Sequence, residues 1–304
     1  MSPEAKRPQG FVTRFAPSPT GLLHLGHAYA AIEAWGAAEE AGGTCLLRME
    51  DTDATRVRPE YEAAIYKDLS WLGFSWPEPV LHQSRRHEAY ADALNHLAML
   101  GVTYPCRCTR ADIRAALAAP QENESKRVDQ PTVYPGTCRS RSMADAGSED
   151  AIRLNLGRAL QLLEGEALTW IETGPAHAGE HRLNPDEMRR THGDVVLARR
   201  DIRTAAYHLA VVVDDAAQGV THVIRGEDLF EVTSIHRLLQ ALLELPVPVW
   251  HHHALVRDEH GRRLAKRDDA RAIQVYRDAG LTASEVRTMC STLTKQTATL
   301  KQGD

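Results

Sequence analysis

The sequence has little of what marks a membrane or a secreted protein. No apolar run approaches the roughly 18 residues of a membrane-spanning helix, and the polar N-terminus MSPEAKRPQG lacks the apolar core of a secretory signal. Cysteine is also scarce: five residues, an odd number, argue against a disulfide framework and leave metal binding or free thiols. We therefore expect a cytoplasmic protein with no membrane partner.

The chain also lacks both common glycine-rich phosphate motifs, the P-loop and the GxGxxG fingerprint, so a nucleotide site must be of another kind. Its net charge of -5 gives no overall attraction for nucleic acid, so any such contact depends on a local basic surface. What is present is an ordinary globular composition, 43% hydrophobic and 25% charged over 304 residues. That suffices for one large domain with insertions, or for two domains.

Segments with strand and helix patterns alternate along the chain. GFVTRFA and TCLLRME are typical of short strands, and the Ala-rich stretch between them predicts a helix closed by Gly42 and Gly43. Further strands are predicted for AIRLNL, LTWIET, DVVLARR and VTHVIRG, and a helix for EVTSIHRLLQALLEL. This alternation favours an α/β fold with a mostly parallel sheet.

The composition changes between Tyr104 and Ser148, where Cys, Pro, Gly and charged residues indicate an inserted small module. Its thiols and one phenol are Cys106, Cys108, Tyr134 and Cys138. Tetrahedral zinc favours thiolates and needs four ligands, but tyrosine is an unusual fourth ligand. The spacing alone therefore leaves three alternatives open: a zinc site, an incomplete site finished by water, and no metal.

The stretch RFAPSPTGLLHLGH, from Arg14 to His27, combines a stiff turn with the start of a helix. Two prolines and a glycine set the turn, and His24 and His27 share one face of the first helical turn. A helix N-terminus favours phosphate, and imidazoles can donate hydrogen bonds to it. A proline-rich turn leading into a helix with surface histidines explains HLGH equally well.

RFAPSPTGLLHLGH also closely resembles the N-terminal signature of the class I aminoacyl-tRNA synthetases of the glutamyl and glutaminyl group. LLRMEDTDATR resembles the family's Arg-hydrophobic-Glu-Asp-Thr-Asp segment, and GDVVLARRD with AAYHLAVVVDDAAQGVTHVIRGEDL resembles its amino-acid pocket and second half-site. GRRLAKRDD resembles its Lys-Met-Ser-Lys-type loop. The four segments stand in the family's order and span most of the chain.

The resemblance implies the class I architecture: a Rossmann-like α/β catalytic domain with a parallel sheet, an inserted acceptor-type module with zinc, and a short helical C-terminal subdomain. We divide the chain accordingly. Residues 1–103 and 191–250 are expected to form the two halves of the catalytic domain, 104–190 the inserted module, and 251–304 the signature loop and helical subdomain. No anticodon-binding domain is expected.

The resemblance further implies ATP-dependent activation of L-glutamate to glutamyl-AMP, with magnesium accompanying ATP. The residues implied to contact ATP are His24, Gly26, His27 and Lys266. Of these, His24 and His27 would hold the phosphates and Lys266 would neutralise the departing pyrophosphate, so these three are the expected catalytic residues.

The residues that the resemblance assigns to glutamate are Arg14, Phe15, Ala16, Pro17, Ser18, Glu50, Tyr207 and Arg225. Arginine is the natural partner of the two substrate carboxylates, Glu50 suits the ammonium, and Tyr207 supplies a hydroxyl. Which arginine takes the side-chain carboxylate stays open. The alternative that Arg14 and Glu50 simply pair across adjacent strands also stays open.

Three further groups have simpler interpretations or depend on the family. The family's matching insertion often carries zinc, and one branch has tyrosine beside three cysteines, which implies one structural zinc on the four residues named above. Asp214 and Asp215 are expected to cap a helix rather than bind magnesium. His251–His253 is expected to be partly exposed scaffold or general surroundings of ATP.

Few residues follow the segment GRRLAKRDD (the Lys/Arg loop), and they are too few for a helical anticodon-binding domain. The resemblance is therefore to a short branch of the family, which implies tRNA-independent glutamate activation and transfer to the queuosine at the wobble position of tRNA(Asp). ATP, L-glutamate and queuosine-containing tRNA(Asp) are the expected partners of a monomer.

Two alternatives remain: a synthetase fragment that charges the tRNA acceptor end, and a catalytically silent tRNA-binding paralogue. Ala265, which stands where the family loop usually has Ser, supports the silent paralogue. Lys266 and both histidines are intact, so activity is expected to survive.

We predict that Lys266→Ala abolishes glutamate-dependent exchange of pyrophosphate into ATP while the protein stays folded. A hydrogen bond from lysine to a charged phosphate contributes about 1.5–3 kcal/mol, and this one acts where charge develops. Exchange assays and thermal unfolding measure the two effects, with Lys67→Ala, distant from these motifs, as the control. Near-normal exchange in the Lys266 variant would refute the assigned role.

Overall fold

The computed structural model describes residues 10–118, 133–200, 204–256 and 272–301. Strands and helices alternate over this part of the chain. In order they are β1 (Val12–Phe15), α1 (Leu25–Glu40), β2 (Thr44–Met49), α2 (Pro59–Trp71), β3 (Leu81–His82), α3 (His87–Met99), β4 (Thr103–Cys106), α4 (Arg110–Ala118), β5 (Ala151–Leu154), α5 (Leu156–Leu162), β6 (Thr169–Glu172), β7 (Gly179–Arg182), α6 (Pro185–Thr191), β8 (Val196–Arg199), β9 (Thr204–Ala205), α7 (Tyr207–Ala217), β10 (His222–Gly226), α8 (Thr233–Leu242), β11 (Val249–His253), α9 (Ile273–Asp278) and α10 (Ala283–Lys301).

The first strand, helix and strand form the unit predicted from the sequence, with β1 parallel to β2. Helix α1 ends at Glu40, and Gly42 follows with φ 61°, a conformation that glycine adopts without strain. Gly43 is needed for a different reason, since a Cβ there would lie 2.2 Å from the carbonyl oxygen of Phe11. The two glycines therefore let the chain turn tightly from the helix into β2.

A parallel layer forms the centre of the fold. The order β3, β2, β1 is parallel throughout, and so is β10, β11, β6, with β7 added antiparallel at the outer edge. Thr221 joins the two groups: its N–H donates to the Val12 carbonyl at 2.9 Å, and its hydroxyl accepts from the Val12 N–H at 2.9 Å. The strands therefore end along one common edge.

The other sheet, in the order β4, β5, β8, β9, is antiparallel throughout. The prediction of a mostly parallel sheet is thus confirmed for the central layer, and this second sheet is a separate antiparallel unit. A parallel pairing needs a crossover of a dozen or more residues, and only a short connection separates β8 from β9.

Helix α1 lies close to the parallel layer because the face it buries is lined by alanine. Ala28, Ala31, Ala34 and Ala38 recur at helical spacing and are at most 3% exposed. They belong to a core that also contains Val286 and Cys290 of α10. Helices α9 and α10 lie in the predicted helical C-terminal segment, and α10 packs on α1.

Asp214 fixes α7 against α3 from a fully buried position. Its carboxylate accepts hydrogen bonds from the Tyr90 hydroxyl at 2.6 Å, the Gln83 amide at 3.0 Å and the Arg86 Nε at 3.0 Å. The expectation that Asp214 caps a helix is therefore wrong, since it lies well inside α7. Among the described residues, no helix combines the length and apolarity needed to cross a membrane.

Candidate functional site

The residues predicted to bind glutamate come from four elements that meet at the carboxyl edge of the parallel layer. Arg14 lies in β1, Glu50 follows β2, Tyr207 begins α7, and Arg225 lies in β10. Burial raises the pKa of the Tyr207 hydroxyl, and the charges of Arg225, Glu50 and Arg14 act on it. The fold thus brings these four side chains into one cluster of interacting charges.

Arg14 is held by a carboxylate that the sequence interpretation placed elsewhere. Its Nε donates to Asp215 Oδ1 at 2.9 Å, and its Nη1 donates to the Ile224 carbonyl at 3.3 Å. Asp215 is buried in α7, so the expectation that it caps a helix is wrong. Burial opposes ionisation of Asp215, but the guanidinium groups of Arg14 and Arg48 outweigh it and lower the pKa.

Arg48, to which the sequence interpretation gave no role, completes this cluster. It is fully buried, and its Nη1 donates to Asp215 Oδ1 at 2.7 Å and to Gln218 Oε1 at 3.1 Å. Burial opposes its charge, but Asp215 and Glu50 raise its pKa. The sequence signal for Arg48 is its position two residues before Glu50, on the same face of the strand.

Glu50 has Arg48 as its partner, with Arg48 Nη2 donating to Oε1 at 3.4 Å. The alternative that Arg14 and Glu50 pair across adjacent strands is therefore wrong. Burial raises the pKa of Glu50 despite the nearby arginines. An ammonium group arriving beside Glu50 would favour the ionised carboxylate.

Arg225 is held in a different way from Arg14. Its five N–H groups face His252 Nε2 at 2.9 Å, His236 Nδ1 at 3.1 Å, the Tyr207 hydroxyl at 3.5 Å, the Leu229 carbonyl at 3.0 Å and the Thr233 hydroxyl at 2.8 Å. All five are uncharged acceptors, and burial lowers the pKa of the guanidinium. The contact with Tyr207 is the longest, so an incoming carboxylate displaces it most easily.

The segment from Phe15 to Ser18 forms the wall beside Glu50. Phe15 and Pro17 are buried, Ala16 is half-buried and Ser18 is exposed. The carbonyl of Pro17 accepts a hydrogen bond from the Glu50 N–H at 3.1 Å. The turn after β1 is therefore tied directly to the end of β2.

His24 and His27 form a capping box at the start of α1. His24 Nδ1 accepts from the Gly26 N–H at 3.1 Å, and His27 Nδ1 accepts from the His24 N–H at 3.1 Å. In the neutral form each Nε2 therefore carries the proton and is a donor. Gly26 is required here because a Cβ would lie 2.9 Å from His24 Cε1.

Lys266 and Ala265 lie outside the described residues. The chain resumes at Ala272, which forms an antiparallel bridge with His24. The next residue, Ile273, donates its N–H to the Leu23 carbonyl at 2.8 Å. The described chain after the Lys/Arg loop therefore begins beside the predicted phosphate-binding histidines.

His251–His253 differs from its expected role as partly exposed scaffold. His252 and His253 are buried, and His251 is half-buried. The His252 contact with Arg225 explains the burial, because the ring fills the space behind the guanidinium. Three adjacent histidines gave no signal of this contact in the sequence.

The four candidate metal ligands come together beside β4, the first strand of the antiparallel sheet. The three cysteine sulfurs lie within 4.8 Å of one another, and the Tyr134 hydroxyl is 3.4 Å from both Cys106 Sγ and Cys108 Sγ. Cys108 Sγ and Cys138 Sγ are 3.6 Å apart. Tetrahedral zinc would place its ligand atoms about 3.8 Å apart, so this cluster could hold a metal ion.

Comparison with known proteins gives the family of the chain. The family model described as tRNA synthetases class I (E and Q), catalytic domain, matches residues 11–302. The chain is 53% identical to a Rhodobacter capsulatus protein named Glutamyl-Q tRNA(Asp) synthetase, over 91% of this chain and 98% of that protein. It is 41% identical to a Nitratidesulfovibrio vulgaris protein of the same name, over 90% of this chain and 83% of that protein.

Solved structures give the same fold. A glutamate-tRNA synthetase of Elizabethkingia anophelis superposes with a TM-score of 0.67 at 26% identity, over 86% of this chain. The present chain spans about half, 53%, of the length of that synthetase.

The buried histidines predict an acid-sensitive fold. Burial lowers the pKa of His208 to about 4 from the usual 6.5, with His192 and Arg225 acting in the same direction. Because the pKa of His208 is lower in the folded than in the unfolded protein, protonation favours the unfolded state. The free energy of unfolding therefore keeps its full value above about pH 6.5 and decreases as the pH falls from 6.5 to 4. We expect His208→Gln to remove roughly 2 kcal/mol of the stability loss between pH 7 and pH 5.

Urea unfolding at the two pH values measures this loss. The exposed His87→Gln is the matched control and should leave the pH dependence of wild type. An unchanged pH dependence in the His208 variant would contradict the prediction.

Proposed function

Because the chain belongs to the family of class I tRNA synthetases for glutamate and glutamine, we propose that it activates L-glutamate with ATP, without tRNA, and transfers the glutamate to the queuosine at the wobble position of tRNA(Asp). The observation that carries this proposal is 53% identity to a glutamyl-Q tRNA(Asp) synthetase over 98% of that relative. The pocket chemistry supports the choice of glutamate.

The pocket offers a partner for each charge of glutamate. Arg14 and Arg225 suit the two carboxylates, and Glu50 suits the ammonium. Arg14 has no hydrogen-bond partner for its Nη2 among the described residues, whereas Arg225 must release the long contact with Tyr207. A carboxylate between the Tyr207 hydroxyl and Arg225 Nη1 would replace that contact by two charge-assisted hydrogen bonds.

The histidine pair supports the assignment of ATP to the start of α1. The Nε2–H groups of His24 and His27 donate to phosphate oxygens beside the positive end of the helix. The α-carboxylate of glutamate attacks the α-phosphorus, and pyrophosphate leaves. Magnesium bound with ATP would neutralise phosphate charge, and Lys266 is assigned to the pyrophosphate from sequence alone.

The transfer step completes the proposed reaction. A hydroxyl of the queuosine cyclopentene ring attacks the carbonyl carbon of glutamyl-AMP, an ester bond forms, and AMP leaves with the bonding electron pair. The hydroxyl proton passes to the phosphate of AMP or to solvent, so the step needs no further reactant.

The proposed reaction is tested by the destination of labelled glutamate. The protein is incubated with ATP, labelled glutamate, and tRNA(Asp) with or without queuosine, or tRNA(Glu). Label is expected only on queuosine-containing tRNA(Asp). Label at the acceptor end of tRNA(Glu) would identify the synthetase alternative, and absence of glutamate-dependent pyrophosphate exchange would identify a silent paralogue.

We also propose that Cys106, Cys108, Tyr134 and Cys138 hold one structural zinc ion. Burial opposes ionisation of Cys138, but hydrogen bonds, the first from the Arg107 backbone, lower its pKa to about 7. Burial and hydrogen bonds with Cys106 and Cys108 raise the pKa of Tyr134, and the guanidinium of Arg153 lies over its ring with Cζ 3.9 Å from the centroid. When bound, zinc would crosslink β4 to the segment around Cys138.

Elemental analysis tests the zinc proposal. We expect about one equivalent of zinc in protein purified without chelator, and under about half an equivalent in Cys138→Ser, because a closed site needs all four ligands. Cys290→Ser is the control, since this buried cysteine lies in α10 and outside the cluster. Wild type with under half an equivalent would contradict a closed four-ligand site.

Three further features are proposed with the same function. The division into 1–103, 104–190, 191–250 and 251–304 remains our domain proposal. A monomer in the cytoplasm fits an enzyme whose substrates are ATP, glutamate and tRNA.

A further inference from the structure

Behind Arg225 lies a buried chain of hydrogen bonds that the proposed reaction does not use directly. Glu172, at the end of β6, is 1% exposed, and its Oε2 lies 2.5 Å from His252 Nδ1. His252 Nε2 in turn receives Arg225 Nε–H at 2.9 Å. We propose that Glu172 and His252 are positioning residues that hold Arg225 in the orientation that binds the glutamate substrate, a role that rests on the proposed function.

The proton positions in this series of hydrogen bonds follow from Arg225, whose guanidinium can only donate. Because the guanidinium of Arg225 has no acceptor, His252 must accept at Nε2. His252 then carries its proton on Nδ1 and donates it to Glu172. The carboxylate therefore selects the tautomer of His252 that Arg225 requires.

The same reasoning extends to the other side of Arg225. His236 accepts from Arg225 at Nδ1, so its Nε2–H donates to His208 Nδ1 at 3.2 Å. Burial and the charge of Arg225 lower the pKa of His236 well below its usual value. Both imidazoles next to Arg225 are therefore neutral acceptors.

Glu172 provides a negative charge without contacting Arg225. Burial opposes its ionisation, but hydrogen bonds, the first from His252, lower its pKa to about 2. One imidazole ring separates the carboxylate from the guanidinium. A direct ion pair between Glu172 and Arg225, like that of Arg14 with Asp215, would neutralise the positive charge of Arg225 before a substrate carboxylate binds.

Two backbone N–H groups fix the orientation of the Glu172 carboxylate. Its Oε1 receives the N–H of His252 at 2.9 Å and the N–H of Gly174 at 2.6 Å. Both oxygens therefore face donors. A Cβ on Gly174 would lie 2.3 Å from the His252 carbonyl oxygen, so the close approach also requires glycine.

Glu172→Gln is the sharpest test because it changes one oxygen to an amide NH2. With the amide oxygen facing the two backbone N–H groups, the NH2 faces His252 Nδ1 and makes it an acceptor. The imidazole proton then moves to Nε2 and opposes the Nε–H of Arg225. The variant therefore keeps the side-chain size and loses the orientation of Arg225.

The expected result is a rise of about tenfold or more in the KM for glutamate in pyrophosphate exchange, with kcat and the KM for ATP within about twofold. Glu180→Gln makes the same change at an exposed position on the neighbouring strand and should match wild type. An unchanged KM for glutamate in a folded Glu172→Gln variant overturns the inference. If wild type shows no glutamate-dependent exchange, the proposed function fails instead.

Nitrogen-15 NMR of labelled histidines gives a readout that a merely structural role would not move. We expect His252 to carry its proton on Nδ1 in wild type and on Nε2 in Glu172→Gln. The same tautomer in both proteins overturns the inference.

A pair of His252 variants covers the case in which Glu172→Gln does not fold. His252→Gln places an amide near the former Nε2 and can still reach Arg225, whereas His252→Asn keeps only the contact with Glu172. The KM for glutamate should rise more for Asn than for Gln. Equal values for the two variants count against the inference.

Discussion

The carboxylate of Asp215 is the constraint on which the candidate site depends. One oxygen atom, Oδ1, accepts from Arg14 at 2.9 Å and from Arg48 at 2.7 Å. Two buried guanidinium groups on neighbouring parallel strands would repel each other in a medium of low dielectric constant. Asp215 offsets this repulsion and ties α7 to β1 and β2. Glu50 then receives the remaining contact of Arg48, so its position follows from the same anchor.

The two arginines predicted to bind glutamate are consequently unequal. Arg14 is already paired with the carboxylate of Asp215, so part of its charge is offset before a substrate carboxylate binds. Arg225 is surrounded by neutral acceptors, so its charge is not cancelled by a directly bonded carboxylate. A buried cation of this kind costs free energy unless an anion arrives, and a substrate carboxylate is such an anion. The structure thus favours Arg225 over Arg14 as the stronger attraction for a carboxylate.

Much of the fold could be predicted from local patterns, whereas the contacts between distant residues could not. Alternation of strands and helices identified the parallel layer, and Gly42 and Gly43 marked the end of α1. An inserted module was predicted from the change in composition after Tyr104, but its antiparallel pairing was not, because that pairing depends on which distant strands meet. Asp215 was assigned to a cap because it lies beside a second acidic residue. Its position within the apolar run AVVVDDAA was the better signal, since a carboxylate buried there must have a cationic partner.

The candidate site residues show the same division. Arg14, Glu50, Tyr207 and Arg225 were selected through motifs that are predicted to contact the substrate. Arg48, His252 and Glu172 contact residues of that predicted set or their partners, so no motif of substrate chemistry selects them. The contacts of His252 and Glu172 join elements that are far apart in sequence. Only the folded arrangement shows these partners.

The antiparallel sheet is hydrogen-bonded to the segment that carries Glu50. Arg199, at the end of β8, donates to Asp53 at 3.2 Å, three residues after Glu50. Asp51, between them, accepts from the N–H and the hydroxyl of Ser84 at 2.8 and 2.6 Å. The segment after β2 is therefore held on both sides, by Arg199 of β8 and by Ser84, which lies just before α3. The position of this segment next to Glu50 thus depends on the antiparallel sheet as well as on the parallel layer.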